Sequence, residues 1–250
     1  MLTACGYKCV RSHRLQHAPT TCSTLPITSS AQKPPSDNRI IIRQASTSIE
    51  YRAAAYLRAQ AFSIFLESNQ TTDFARQAYL RMRGDEKWNE LELAVKNENP
   101  KVIPLIATSL EGSIRNNASL CIPQQGAPPE WTVATLDINI GPKLPSEELL
   151  GTLPVDSTES LTRRGYLSNV CVLETMRRRG LAKNLILRAT EISIELGIEH
   201  LYVHCIHSNT PARSLYIDHC GFQFEAEEKE ATARALNRPR RVLLHKKLLL

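Results

Sequence analysis

Long apolar runs are missing from this 250-residue sequence, and so are acidic residues before Asp37. No apolar run approaches the ~20 residues that a transmembrane helix needs, so we expect no membrane span. The N-terminal segment also has no continuous apolar stretch of the kind that a secretory signal carries, which excludes that assignment.

Residues 1–36 have the composition of an organelle transit peptide, because they are acid-free, mildly basic and rich in serine and threonine. A mitochondrial presequence usually has a stronger arginine-rich amphipathic pattern, so the plastid is favoured over the mitochondrion. A merely disordered tail is the alternative. We therefore expect a disordered transit peptide over 1–36 and one folded domain over 37–250, long enough to bury a full core.

The net charge of +6 is concentrated in that leader. Four of its basic residues account for most of the excess: Lys8, Arg11, Arg14 and Lys33. Recognition of a phosphate backbone needs a concentrated basic face on the folded domain. We therefore expect no nucleic-acid partner.

No CxxC pair occurs among the seven cysteines. Cys171 and Cys205 lie in apolar strand patterns, and we interpret them as small buried hydrophobic residues. One cluster of possible zinc ligands has a spacing that fits no known pattern: Cys205, His207, His219 and Cys220. No metal site is expected.

Apolar periodicity predicts a chain of strands and helices. The predicted strands are 39–43, 102–110, 131–140, 166–173, 200–207, 222–227 and 241–247. The first helix, capped near Ser48, is expected to bury Ile49, Ala53, Leu57, Ala61 and Ile64. The helix that ends at Gly197 is expected to bury Leu181, Leu185, Ala189, Ile192 and Leu196. A helix over 72–98 is expected to break near Gly84. Two Pro-containing loops, before Trp131 and over about 141–162, either flank the substrate entrance or are tolerated insertions.

A basic turn joins the strand 166–173 to the following helix: Arg177-Arg178-Arg179-Gly180-Leu181-Ala182. Gly180 has no side chain, so the backbone there can approach phosphate oxygens closely. The first N–H groups of the helix are unpaired, and the helix dipole adds positive potential. The turn therefore predicts a pyrophosphate site.

Two motifs resemble the GNAT acetyltransferase superfamily. Arg177-x-x-Gly180-x-Ala182 resembles its acyl-CoA loop, with Ala182 in place of the second glycine. Asn209-Thr210-Pro211-Ala212-Arg213-Ser214-Leu215-Tyr216, followed by Gly221-Phe222, resembles the family's next helix. The detailed resemblance covers 165–222, and a looser one covers 39–250. No second Gly-rich turn or ribose-binding acid supports a Rossmann domain instead.

The resemblance implies an α/β (α+β) GNAT fold. In it, a central mixed, mostly antiparallel sheet of about seven strands is flanked by helices, and one parallel strand–helix–strand unit holds acetyl-CoA. The residues that would contact the cofactor are Val170, Cys171, Val172, Arg178, Arg179, Gly180, Leu181, Ala182, Lys183, Asn209 and Tyr216. The first three would offer backbone groups to the thioester carbonyl and the pantetheine, and Asn209 would bond the pantetheine arm.

The resemblance also implies catalytic roles. Tyr216 would lie near the sulfur and donate a proton to the leaving thiolate, because a phenol stays protonated at working pH. Tyr166 and His204 match the positions that hold a proton-accepting water in the family's protein N-terminal acetyltransferases. A structural role for His204 stays open, and Asp137 and Glu111 are other candidates for the base.

The overall pattern, with its leader, resembles plant plastid GNAT enzymes. These act on N-terminal α-amines and lysine ε-amines of proteins, so protein or peptide amines are the expected partners. A small-molecule (arylalkylamine or polyamine) N-acetyltransferase and a non-catalytic acyl-CoA-binding module are the alternatives. The oligomeric state stays open.

Overall fold

The computed structural model of the chain describes residues 39–63, 72–98, 101–110, 117–141, 144 and 163–249. The strands are β1 (Ile40–Gln44), β2 (Lys101–Ser109), β3 (Cys121–Ile122), β4 (Glu130–Ile140), β5 (Arg164–Val172), β6 (His200–Ile206), β7 (Gln223–Glu227) and β8 (Arg241–Lys247). The helices are α1 (Ser48–Phe62), α2 (Asp73–Lys96), α3 (Leu181–Glu195), α4 (Thr210–Ser214) and α5 (Glu230–Ala235). None of these helices is long and apolar enough to cross a membrane. The predicted transit peptide, 1–36, lies outside the described residues.

The strands form one mixed sheet in the order β1-β2-β4-β5-β6-β8-β7, and β3 pairs with β4. Strands β5 and β6 are parallel, and the other described pairs are antiparallel. The expected fold class is therefore confirmed, including the single parallel strand–helix–strand unit. The described sheet has eight strands rather than about seven, because the loop before β4 contributes the two-residue strand β3.

Helix α1 begins with a capping box. The Thr47 hydroxyl accepts a hydrogen bond from the backbone N–H of Glu50, and the Glu50 carboxylate accepts one from the backbone N–H of Thr47. This reciprocal pair satisfies two N–H groups that a helix start leaves free. The cap confirms the predicted helix start, but Ile49 is 48% exposed and does not belong to the buried face. Ile64 lies outside the described residues.

Helix α2 continues through Gly84, so the predicted break is wrong. A Cβ atom at this position would meet the ring of Tyr56 on α1 at 2.8 Å. The glycine therefore allows the two helices to approach each other, and the helical conformation at Gly84 is maintained by its neighbours. Sequence alone could not distinguish this close contact from a helix break.

Helices α1 and α3 cover opposite faces of the sheet. Arg58 of α1 reaches Thr135 and Asp137 of β4. Side chains alternate along a strand, so the intervening Leu136 points to the other face. There it belongs to the main apolar core together with Leu185 of α3.

Candidate active site

Strands β5 and β6 separate at the centre of the sheet. They pair from Arg164 opposite His200 to Leu167 opposite Val203, and no further residue of β5 pairs with β6. We call the separated segments, 168–172 of β5 and 204–206 of β6, the fork. Among the residues that the structure describes, no strand pairs with this side of β5 in the fork, so its backbone groups can bind an extended ligand as an added strand would.

A β-bulge lies within the fork. Asp137 pairs with Ser168 and Thr135 pairs with Cys171, so Asn169 and Val170 stand opposite one residue of β4. Asn169 has φ 55° and is exposed, although it lies in the middle of a central strand. The bulge therefore presents irregular backbone to the open side of β5.

The basic turn after β5 has the geometry that an anion site requires. Met176 is 1% exposed and anchors the turn, which then runs along the surface to Gly180. Arg178 has φ 64° and Gly180 has φ 77°, both in the left-handed region. Gly180 is the N-cap of α3 and provides no side-chain hydrogen bond to its first N–H groups. These N–H groups and the exposed arginines therefore suit the pyrophosphate of an acyl-CoA.

The second motif begins where β6 ends. Asn209 is the N-cap of α4, and its Oδ1 accepts a hydrogen bond from the backbone N–H of Ala212 at 3.1 Å. Pro211 lies in the first turn of that helix, where its missing N–H has no intrahelical partner to lose. The capping bond leaves the Asn209 side-chain amide group available as a donor.

Tyr216 lies in a π-helical turn, Leu215–His219, that follows α4. Such wide turns are rare and are frequent at functional sites. The Tyr216 ring packs edge-on against Phe222, with centroids 5.7 Å apart, and the residue is 5% exposed. Burial raises the pKa of the Tyr216 phenol, and the neighbouring Cys205 and Tyr166 add to the shift. The hydroxyl therefore stays protonated at any physiological pH.

Tyr166 and His204 are in direct contact at the base of the fork. The Tyr166 hydroxyl and His204 Nδ1 are hydrogen-bond partners, and their rings stack with centroids 5.7 Å apart. Tyr166 is 1% exposed, whereas His204 is half-buried. The structure thus brings together two residues that lie on different strands and that the sequence proposed as partners.

The other candidates for the base are less suitable. Both Asp137 oxygens are occupied, since Oδ1 accepts from Arg58 Nη2 at 2.6 Å and Oδ2 accepts from Asn169 Nδ2 at 2.8 Å. To take a proton from an amine, Asp137 would have to give up one of these two contacts. Glu111 lies outside the described residues.

Cys171 lies beside that ion pair and is not a nucleophile. Burial raises the pKa of its thiol to about 12. The cysteine is therefore protonated at neutral pH and packs as a small apolar residue, as its strand pattern predicted. Within the described part of the chain, no three His, Cys, Asp or Glu residues are grouped as metal ligands.

Sequence reasoning missed the bulge with its residue Asn169, and it missed Arg58, which contacts Thr135 and Asp137 beside the bulge. An asparagine in the middle of an apolar strand was an available signal, because asparagine adopts positive φ more readily than most residues. Nothing in the sequence paired Arg58 with Asp137, 79 positions later.

A forked parallel strand pair, a turn suited to an anion and a buried phenol are together typical of an acyl-CoA-dependent transferase. The model of the "Acetyltransferase (GNAT) family" matches residues 132–222. The chloroplastic GCN5-related N-acetyltransferase 7 of Arabidopsis thaliana is 33% identical over 208 residues, covering 82% of this chain and 74% of that protein. The chloroplastic GCN5-related N-acetyltransferase 6 of the same plant is 26% identical over 185 residues, covering 71% of this chain and 60% of that protein.

Among solved structures, one described as a "probable acetyltransferase from Staphylococcus epidermidis" has a TM-score of 0.52 at 13% identity. The match covers 84% of this chain and 100% of that one, and it shows the fold alone. The chain belongs to the GNAT family of acetyltransferases. It is accordingly an N-acetyltransferase that uses acetyl-CoA as its co-substrate.

Proposed function

We propose that this enzyme acetylates protein N-terminal α-amines and lysine ε-amines in the plastid. The contact between Tyr166 and His204 carries the proposal. It supports the arrangement that the sequence resemblance implies for protein N-terminal acetyltransferases, in which these two side chains hold a water beside the incoming amine.

Acetyl-CoA is proposed to lie in the fork. Backbone groups of Val170, Cys171 and Val172 would bond the thioester carbonyl and the pantetheine. Residues 178–183 would hold the pyrophosphate, and the Asn209 amide would donate to the pantetheine arm. The open side of β5 and the uncapped start of α3 support this placement.

The amine attacks the thioester carbonyl directly, so a C–N bond forms and the C–S bond breaks. The water held by Tyr166 and His204 takes the proton that the amine loses. Tyr216 gives its proton to the departing thiolate and regains one from solvent. The raised pKa of Tyr216 supports this role, because a donor must be protonated when the sulfur leaves.

Reference pKa values bear on the choice between amines. A protein α-amine with a pKa near 8 is largely neutral in a mildly alkaline compartment, so a weak base suffices. A lysine with a pKa near 10.4 must first lose about two to three pKa units, or roughly 3–4 kcal/mol. We therefore expect faster turnover on α-amines than on lysines.

Residues 1–36 are proposed to be a plastid transit peptide, with the stroma as the compartment of action. Their composition supports this, and both plant relatives carry "chloroplastic" in their names. Fusion of 1–36 to a fluorescent protein should give plastid fluorescence. Fluorescence in mitochondria or throughout the cell would contradict the proposal.

Three substrates test the proposed activity of residues 37–250 with acetyl-CoA. They are a lysine-free peptide with a free N-terminus, an N-terminally blocked peptide with one lysine, and phenylethylamine. We expect acetylation of both peptides, faster on the first, by mass spectrometry. Turnover of phenylethylamine alone would indicate a small-molecule enzyme, and binding without any turnover would indicate an acyl-CoA-binding module.

A further inference from the structure

The bulge in β5 is not held by strand pairing. On one side, Asn169 and Val170 together face Leu136 of β4. On the other side, the pairing of β5 with β6 ends at Leu167. Asn169 also keeps φ 55°, which an ordinary strand does not require. Something other than the described sheet ladder must therefore fix the backbone direction at this point.

Side chains from β4 hold the bulge. Asn169 Nδ2 donates to Asp137 Oδ2 at 2.8 Å. Arg58 Nη2 of α1 donates to the other oxygen, Oδ1, at 2.6 Å and to Thr135 Oγ1 at 2.9 Å. Thr135 and Asp137 flank Leu136, so these contacts bracket the bulge on both sides.

The ion pair between Arg58 and Asp137 is the rigid part of this chain of contacts. The Arg58 and Asp137 side chains are each 3% exposed. Removing either partner would leave an unpaired buried charge, which strongly disfavours rearrangement of the pair. Asn169, by contrast, is exposed in the fork. The position of the buried pair is thereby transmitted to the backbone at the fork surface.

We propose that Arg58, Asp137 and Asn169 are positioning residues that aim the backbone N–H group of Val170 at the thioester carbonyl. Leu173 N–H bonds to Val133 of β4, and because alternate residues of an antiparallel strand face its partner, Cys171 also faces β4 and Val170 faces the open side of β5. As positioning residues, the three would act through this backbone group and not by touching the reacting atoms. The inference rests on the proposed placement of the thioester against β5. Aimed N–H groups act chiefly in the transition state, where the carbonyl oxygen gains negative charge.

Two substitutions at Asn169 test this role. Asn169→Gly keeps access to positive φ and removes the hydrogen bond, whereas Asn169→Asp keeps the shape and sets a second carboxylate against Asp137. We expect kcat per CoA-binding site to fall about tenfold in the first variant and further in the second. The KM for acetyl-CoA should change less than about threefold, because residues 178–183 are untouched.

The matched control is Asn237→Gly. Asn237 also has positive φ, 46°, but lies in the turn after α5 and not in β5. Its kcat per CoA-binding site should equal that of the wild type. Normalising to sites titrated with CoA removes any effect of a lost folded fraction.

A spectroscopic readout separates this inference from the proposed function. Infrared difference spectra of bound acetyl-CoA, labelled with ¹³C at the acetyl carbonyl, report hydrogen bonding to that oxygen without an amine. We expect the carbonyl band to move to higher frequency in Asn169→Gly. If Asn169→Gly showed a carbonyl band and a kcat equal to those of the wild type, or an effect on KM alone, the positioning role would be overturned. A wild type that acetylates no peptide would overturn only the substrate assignment.

Discussion

The fork is built differently from the half of the sheet that comprises β1, β2 and β4 with α1 and α2. We call this second region the closed half. In the closed half, β2 pairs with β4 from Lys101 opposite Ile140 to Ser109 opposite Trp131, and Leu105 and Ile106 are fully buried. In the fork, pairing stops early and left-handed backbone appears in the strand and in the turn. The closed half therefore maintains the fold, and the fork forgoes some of that stability, which leaves backbone groups available for the proposed binding of acetyl-CoA.

The largest effect that separates these regions is expected from Tyr216→Phe. Losing the proton donor should lower kcat by about 10²- to 10⁴-fold while CoA affinity and melting temperature stay near wild type. Steady-state kinetics and calorimetric titration with CoA measure the two quantities. Unchanged turnover would remove Tyr216 from the mechanism.

In the closed half, Gly84→Ala should affect stability alone. Its Cβ would meet the Tyr56 ring at 2.8 Å, so the α1–α2 contact must shift, at about 1–3 kcal/mol of unfolding free energy. Urea denaturation measures that loss, and kcat should not change. In the double variant, the smaller side chain of Tyr56→Leu should recover part of the stability that Gly84→Ala loses. If the losses of unfolding free energy of the two substitutions were fully additive, the clash would be contradicted.

Gly180→Ala should affect ligand binding at the basic turn that follows the fork. An alanine at φ 77° is strained by about 1–2 kcal/mol, so the turn should rearrange and the KM for acetyl-CoA should rise about tenfold. Gly197→Ala is the matched control, because Gly197 has φ 72° and, like Gly180, open space around the added Cβ. It follows the other end of α3, so it should lower stability similarly without raising KM. Equal KM values for the two variants would refute the assignment of the turn.

The smallest effect is expected from Glu50→Gln, in the closed half. Burial alone would raise the pKa of Glu50, but the backbone N–H groups of Ser46 and Thr47 and the Arg43 guanidinium outweigh it and lower the pKa. The ionised carboxylate therefore stabilises the fold above its unfolded pKa, and that contribution is lost as pH falls through the folded pKa.

Glu50→Gln should accordingly reduce the unfolding free energy by about 1 kcal/mol near neutral pH, and by less below about pH 4. Urea denaturation across pH measures this dependence. Glu90→Gln is the control, since Glu90 pairs with Lys87 on the surface and should contribute almost nothing. A penalty for Glu50→Gln that grows at low pH would contradict the shift.

Features with short-range signals were predictable. Apart from the two-residue β3, which was not predicted, the described strands begin and end within a few residues of their predicted limits, because apolar alternation and turn residues are local properties. The Gly180 turn was likewise identified from its own residues and its position between a strand and a helix. Helix α5 was missed, since it has only six residues and no strong apolar face.

Features that depend on a distant neighbour were mispredicted or missed. Gly84 looked like a helix break because the Tyr56 ring beside it was not visible in the sequence. Leu196 was expected on the buried face of α3 but is 44% exposed, because that helix ends at Glu195 and the chain turns away. The bulge at Asn169 and the π-helical turn at Tyr216 follow from packing and not from propensity.

The sequence by itself determined most of the strands and helices, the glycine turn before α3 and the family, because each depends on residues that are close together in the chain. Only the tertiary structure decided that Tyr166 meets His204, that Asp137 is tied to Arg58 and that β5 parts from β6 after Leu167. Those outcomes depend on which side chains share one face of a twisted sheet, and pairing across the sheet sets that arrangement.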